Sequence, residues 1–219
     1  MERQLKITKD GSHTFFMLGM DEPYHSLHGA ISESRHVFIG QGLLTIQKPA
    51  LRILEVGFGT GLNALLTLIE SIPMNISVYY HAVEKYPLKS QEYSRLNYEK
   101  FIDHVPEGAF NRMHDCPWGK EVQISDRFAL YKEKADFRSM NVPPPVHLVY
   151  FDAFSPEKQP ELWTDQVMGS ISRVCDAGAV LVTYSAKGEV RRTLASCGFD
   201  VSKVPGPPGK REMIRAVKR

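Results

Sequence analysis

Leu51-Arg52-Ile53-Leu54-Glu55-Val56-Gly57-Phe58-Gly59-Thr60-Gly61-Leu62-Asn63 decides the fold. A short apolar run of buried-strand type breaks at three glycines, each one residue from the next. An amphipathic pattern then resumes at Leu62, Leu65, Leu66 and Ile69. Strand, glycine turn and helix in that order open the nucleotide-binding half of a doubly wound α/β sheet. The spacing also discriminates between ligands. Dinucleotide folds use G-x-G-x-x-G, whereas here the third glycine comes one residue early and Leu62 takes its place. Glu55, two residues before the first glycine, would repel a pyrophosphate. A ligand that joins a nucleoside to a positively charged amino-acid part fits better, and S-adenosylmethionine is such a ligand. Glu55, Gly57, Gly59 and Gly61 are its expected cradle.

Composition bounds the class. The 219 residues suit one domain with a small extension, which we place at residues 1–48 ahead of a catalytic domain at 49–219. A hydrophobic share of 42% and a charged share of 24% are ordinary for a globular protein. No apolar run approaches the ~18–20 residues of a membrane span, and Met1-Glu2-Arg3-Gln4 opens no signal peptide. Cys116, Cys175 and Cys197 are odd in number and far apart, without a C-x-x-C pair. They point to buried thiols in a reducing, cytoplasmic compartment and not to a disulfide or zinc framework. His25, His28 and His36 have no ligand spacing, so no metal is expected. The net charge of +2 is unevenly spread, with +6 from Ala186 onward and −4 before it. That balance suits either a docked polyanion or a solvated face.

Gln4 to Leu18 reads as a hairpin around Asp10-Gly11, and residues 21–42 as a polar loop entering a helix. Val78 to Val83 is a second strand ending at Glu84, 23 residues beyond Gly61, where an acid accepts hydrogen bonds from ribose hydroxyls. A helix from Leu88 to about Phe101 and an irregular stretch over 103–120 follow. The third strand, Phe128 to Tyr131, pairs with Val122 to Ile124 and leads to Asp136, an acid for the adenine amino group. Pro143-Pro144-Pro145 precedes a fourth strand, Val146 to Phe151, which ends at Asp152. A carboxylate at the carboxyl end of a central strand is where substrate belongs. Thr164 caps a helix to about Cys175, which Asp176-Ala177-Gly178 closes ahead of a strand from Ala179 to Tyr184. A helix from Lys187 to Gly198 and a hairpin from Phe199 to Val217 complete the chain.

These residues resemble a known family. Glu55-x-Gly57-x-Gly59-Thr60-Gly61, Glu84-Lys85-Tyr86-Pro87, Asp152-Ala153-Phe154-Ser155-Pro156 and Lys210-Arg211-Glu212-Met213 fit it together. So do Glu33-Ser34-Arg35, Leu162-Trp163-Thr164 and Val190-Arg191-Arg192. From about residue 20 onward the chain is similar to the methyltransferase domain of the bifunctional tRNA 5-methylaminomethyl-2-thiouridine biosynthesis proteins. The resemblance implies a class I, Rossmann-like α/β fold: a seven-stranded sheet with an antiparallel C-terminal hairpin. It further implies S-adenosylmethionine as methyl donor and 5-aminomethyluridine, with or without 2-thiolation, at the tRNA wobble position as acceptor. The flavin-dependent oxidase half is not expected in this chain, so the aminomethyl group would be made elsewhere. Ala135 stands where the family often has glycine, which bears on Asp136.

The chemistry requires a neutral amine, because its lone pair attacks the methyl carbon in line. An alkylamine of pKa ~10.4 costs roughly 4–5 kcal/mol to deprotonate at pH 7. A sulfonium about 4 Å away, at an effective dielectric of ~20, disfavours the ammonium by ~4 kcal/mol. Asp152 would aim the amine and accept or relay its proton. Phe154 offers a stacking face for a flipped base or is an ordinary core aromatic. Tyr24 and Ser26 are candidates for closing over the site, and Lys187, Arg191, Arg192, Lys210 and Arg211 for holding tRNA phosphates. Other readings are a methyltransferase acting on a small amine or on protein, a nicotinamide-dependent oxidoreductase, and a ligand-free RNA-binding relative. The early third glycine and Glu55 oppose the oxidoreductase, and Glu84 with Asp152 opposes the ligand-free module.

Overall fold

In the computed structural model, which describes residues 2–140 and 142–219, the chain opens with the expected hairpin. β1 (Arg3–Ile7) and β2 (His13–Met17) pair antiparallel around a turn in which Gly11 N donates to Thr8 O at 3.0 Å. The two-residue β3 (Glu22–Pro23) adds to β2. A helix, α1 (Ala30–Ser34), continues as a π-helical segment over Arg35–Gly40. Its Ala30, Val37, Phe38 and Ile39 are buried in the same apolar cluster as Leu51, Ile53 and Leu65.

The second sheet is built from β4 (Ala50–Val56), β5 (Ser77–Val83), β6 (Glu121–Ser125), β7 (Phe128–Glu133), β8 (Val146–Phe151), β9 (Cys175–Thr183), β10 (Phe199–Pro205) and β11 (Glu212–Lys218). Its lateral order is β10-β11-β9-β8-β4-β5-β7-β6. The five strands from β9 to β7 run parallel, and β6, β10 and β11 are antiparallel to their neighbours. Helices α2 (Leu62–Met74), α3 (Ser90–Tyr93), α4 (Ala109–Asp115), α5 (Asp165–Val174) and α6 (Gly188–Ser196) connect them. A central parallel strand is covered on both faces, which is why β4 reads as a nearly continuous apolar run. Against it α2 buries Leu62, Leu65, Leu66 and Leu68, each burial worth roughly 1.5–3 kcal/mol. The chain turns from β5 on one side of β4 to β8 on the other. The carboxyl ends of β4 and β8 therefore meet at a topological switch point.

Four expectations are corrected. Among the described residues the sheet has eight strands, not the seven that the resemblance implies, the additional one being β6, which pairs with β7 as the residues themselves suggest. The helix expected from Leu88 to Phe101 shrinks to α3 and a 3₁₀ turn at Tyr98–Lys100. Between them Asn97 turns to the N-terminal hairpin, accepting from His13 N at 2.8 Å and donating to Gly11 O at 3.0 Å. The stretch 103–120 is not irregular throughout, since α4 buries Phe110 and Met113 in the core. Asp176-Ala177-Gly178 does not close α5; β9 begins at Cys175, already paired with Val146, and a register shift absorbs Gly178. Among the described residues no helix is long and apolar enough to cross a membrane.

Candidate active site

The carboxyl ends of β4, β5 and β8 open into a cavity of about 390 Å³, within the range of small-molecule sites. Gly57 and Gly59 form its floor with φ of 89° and 51°. A Cβ at Gly57 would lie 2.7 Å from the backbone oxygen of Asp152, so β4 and β8 approach this closely only because that position is glycine. At Gly59 a Cβ would press on the Tyr24 ring at 3.1 Å. Gly61 starts α2 and faces His114 instead of the cavity. Glu84, just beyond β5, accepts from Gly59 N at 3.1 Å and from Tyr86 N at 2.7 Å, so its carboxylate lies across the glycine turn. Asp136 lines the far end with Ala135 and Phe137. Its carboxylate is held by Lys85 Nζ at 2.9 Å and Arg138 Nη2 at 2.7 Å. The Arg138 hydrogen bond, assisted by Lys85, holds it well below the usual carboxylate range.

At the opposite end stands Asp152, recessed but open to the cavity. Its Oδ2 accepts from Asn63 Nδ2 at 2.8 Å. The same nitrogen donates to Glu55 Oε1 at 2.9 Å, and Ser34 Oγ holds Asn63 Oδ1. Desolvation, reinforced by the charge of Glu33, pushes Asp152 up to about 7, while Asn63 and Lys210 oppose the shift. Glu55 was expected in the cradle, but it is fully buried beneath it and does not line the cavity. Burial, then the charge of Asp152, raises its proton affinity well above a normal carboxyl, and its Oε1 serves Asn63. Its other oxygen, Oε2, has no hydrogen-bond partner among the described residues, beside the buried hydroxyl of Tyr80.

The loop that carries Asp152 is fixed by side chains at Ala153, Phe154 and Ser155. Gln159 Oε1 accepts from Phe154 N at 3.2 Å, Trp163 Nε1 donates to Phe154 O at 2.8 Å and Tyr184 OH donates to Ala153 O at 2.9 Å. Ser155 donates from N and Oγ to Glu22 at 3.0 and 2.7 Å, which ties β3 to this loop. Phe154 lines the cavity edge-to-face with Tyr24, ring centroids 5.2 Å apart at 75°. Tyr24 OH accepts from Arg3 Nε at 2.9 Å, so the N-terminal hairpin holds the ring over Gly59. Ser26 also lines the wall, and its N donates to Glu33 Oε2 at 2.7 Å. A bare glycine floor, an acid across it and a second acid at the switch point fit a nucleoside bearing an amino-acid tail.

The comparisons agree with that geometry. Residues 122–219 match the family described as S-adenosyl-L-methionine-dependent methyltransferase. The tRNA 5-methylaminomethyl-2-thiouridine biosynthesis bifunctional protein MnmC of Marinomonas sp. (strain MWYL1) is 31% identical over 206 residues, covering 88% of this chain and 31% of that protein. Its counterpart from Nitrosospira multiformis is 32% identical over 205 residues, covering 88% and 33%. The crystal structure of MNMC2 from Aquifex aeolicus superposes with a TM-score of 0.81 at 29% identity, covering 100% of this chain and 70% of that one. The chain is an S-adenosyl-L-methionine-dependent methyltransferase. A methyltransferase from Pyrococcus furiosus, at a TM-score of 0.52 and 16% identity over 92% of this chain and 90% of that one, shares the fold alone. The chain spans about a third of the length of the curated relatives it matches.

The basic residues of this methyltransferase do not form one surface. Lys210 is at the cavity rim, with Nζ 3.0 Å from Glu33 Oε1. Lys187 pairs with Glu157. Arg191 and Arg192 line a separate, shallow depression of about 520 Å³ with Arg219, on the outer face of α6. Arg211 is exposed beside Glu212. Among the described residues no cluster of His, Cys, Asp or Glu is arranged to hold a metal ion. The reading of the residues missed Glu22, Glu33, Asn63, Gln159 and Tyr184. Asn63 carried a visible signal, a polar residue on a helix whose neighbours Leu62, Leu65 and Leu66 are all apolar. Glu22, Gln159 and Tyr184 had none, since only the fold brings them to the Asp152 loop.

Proposed function

We propose that this chain transfers a methyl group from S-adenosylmethionine to the primary amine of 5-aminomethyluridine, with or without 2-thiolation, at the wobble position of tRNA. The observation that carries the reading is Asp152. It is a carboxylate at the switch point, raised to about 7 and aimed by Asn63. The names of the relatives, which concern a methylaminomethyl uridine in tRNA, supply the acceptor class.

In this reading Gly57 and Gly59 admit the donor's amino-acid part against bare backbone, Glu84 takes the ribose hydroxyls and Asp136 borders the base. Glu55 acts from below, through Asn63. Bound there, the donor supplies an electrophilic methyl on a sulfonium. Asp152 accepts a hydrogen bond from the amine and takes its proton. Against a lysine-like amine at ~10.4, an acceptor near 7 leaves a gap of roughly 3 units, or about 4–5 kcal/mol, comparable to what a nearby sulfonium supplies. Phe154 and Tyr24 form the wall against which a flipped base would stack. A tRNA partner and a cytoplasmic compartment belong to the same proposal.

The test uses labelled donor with tRNA carrying 5-aminomethyluridine and with the same tRNA lacking the amine. Label in the first alone, recovered as 5-methylaminomethyluridine after digestion, supports the reading. Equal label in both, or label only with small amines or protein, overturns it.

A further inference from the structure

Lys210 was expected to meet tRNA phosphate, yet its ammonium already has a site. Nζ lies 3.0 Å from Glu33 Oε1 and 3.9 Å from the centroid of the Tyr184 ring. Glu33 is fixed from the other side by Ser26 N at 2.7 Å, and its side chain is only 8% exposed. Tyr184 is fixed by its hydroxyl on Ala153 O at 2.9 Å, within the loop that follows Asp152. Glu33 and Lys210 are both close enough to Asp152 to move its proton affinity, in opposite directions. A primary ammonium is thus held between a buried carboxylate and an aromatic face, beside the acid at the switch point. Both contacts are made by the charged head, Nζ, which any primary alkylammonium shares.

We infer that Glu33 and Tyr184 form a subsite for a primary alkylammonium, and that Lys210 is its tethered occupant, displaced by the acceptor's own ammonium. This rests on the proposed reading of the acceptor as an amine and names the residues that select it. The two sides of the pair are unequally anchored. Glu33 stands on α1, whereas Lys210 comes from the loop between β10 and β11, which contains Gly206 and Gly209. Lys210 is 36% exposed at the rim, and a pair that faces water on one side is weakly held, so exchange of one ammonium for another is cheap. An acceptor without the amine has nothing to offer Glu33, and it finds the lysine still in place. The subsite therefore rejects unmodified uridine by leaving its occupant seated, as specificity often requires. Once displaced, Lys210 is at the mouth of the cavity, where it is free to meet an acceptor phosphate.

The experiment needs neither tRNA nor turnover. Binding of n-propylammonium and of n-propanol is measured by NMR titration on the intact chain saturated with S-adenosylhomocysteine. Wild type, Lys210→Met, Arg211→Met and Lys210→Met/Glu33→Gln are compared, each checked for folding by its thermal transition. Removing the occupant should tighten n-propylammonium by about 5–10-fold, because the competent state is no longer shared with an internal competitor. Propanol should bind all four alike. Arg211→Met, which removes the same charge from the neighbouring position, should give less than about 2-fold, and Glu33→Gln should abolish the gain. Equal gains in Lys210→Met and Arg211→Met would reduce the effect to net charge and overturn the subsite. So would unchanged or weaker ammonium binding in Lys210→Met. These outcomes are independent of the tRNA labelling result, so the subsite and the acceptor assignment fail separately.

Discussion

Asn63 Nδ2 lies 2.8 Å from Asp152 Oδ2 and 2.9 Å from Glu55 Oε1, one donor nitrogen shared by two acids from neighbouring parallel strands. Glu55 is fully buried, and burial followed by the charge of Asp152 raises its proton affinity well above a normal carboxyl. Asn63→Ala removes the shared donor and leaves both acceptors without it. The expected loss is about 1–3 kcal/mol of stability, the cost of unsatisfied buried polar groups. Denaturant unfolding at pH 7 checks it, and a variant as stable as wild type would mean that water replaces Asn63.

The raised proton affinity of Asp152 has a stability consequence of definite sign. The folded chain holds this proton up to about pH 7, whereas the unfolded chain releases it near 3.8. The native state therefore binds more protons between those values, and stability falls as pH rises through that window, by up to about 4 kcal/mol. Asp152→Asn carries no charge to desolvate, so it should match wild type below about pH 3.8, exceed it increasingly as pH rises to about 7, and keep a constant advantage above that. Parallel stability curves for the two proteins would show that Asp152 titrates normally.

In the proposed reading Glu84 bears on the donor alone. Glu84→Ala should weaken S-adenosylmethionine by about 1–3 kcal/mol, the scale of a charged hydrogen bond lost. It should leave the n-propylammonium subsite untouched, because Glu84 is engaged with Gly59 N and Tyr86 N, whereas Glu33 is engaged with Ser26 N and Lys210. Calorimetry that shows wild-type donor affinity would remove Glu84 from the site.

Much of this was legible in the chain itself. The glycine turn, Glu84 and Asp152 lie at strand ends that are marked locally, by an apolar run and what stops it, so their positions followed from pattern. The same logic failed between Leu88 and Lys120. There Asn97 leaves the helix to bind the N-terminal hairpin, a long-range contact that no local periodicity carries. Glu55 was misplaced for a related reason. Distance from the glycines says that it is near the turn but not which face of β4 it takes, and burial turned it inward. Lys210 looked like one of five similar cations until the fold set it beside Glu33.

Arg191 and Arg192 now stand apart from Lys210, on the outer face of α6 with Arg219. If tRNA phosphates reach that face, Arg191→Ala/Arg192→Ala should flatten the slope of log affinity against log salt by about one to two units. Methyl transfer to the free 5-aminomethyluridine nucleoside should not change. A wild-type slope would return both arginines to the solvated surface.

The central claim is that Asp152 takes the amine's proton, and single-turnover methyl transfer across pH 6 to 9.5 tests it most directly. Donor is saturating, and tRNA carrying 5-aminomethyluridine is in excess. Wild type should gain rate through about pH 7 as Asp152 ionises. Asp152→Asn keeps the shape but cannot take a proton. It should bind the donor nearly as well, lose about 10²–10⁴-fold in rate and show no inflection near 7. A loss that vanishes by pH 9.5, where more of the amine is already neutral, would reduce Asp152 to aiming the amine. A wild-type rate at every pH would contradict the assignment outright.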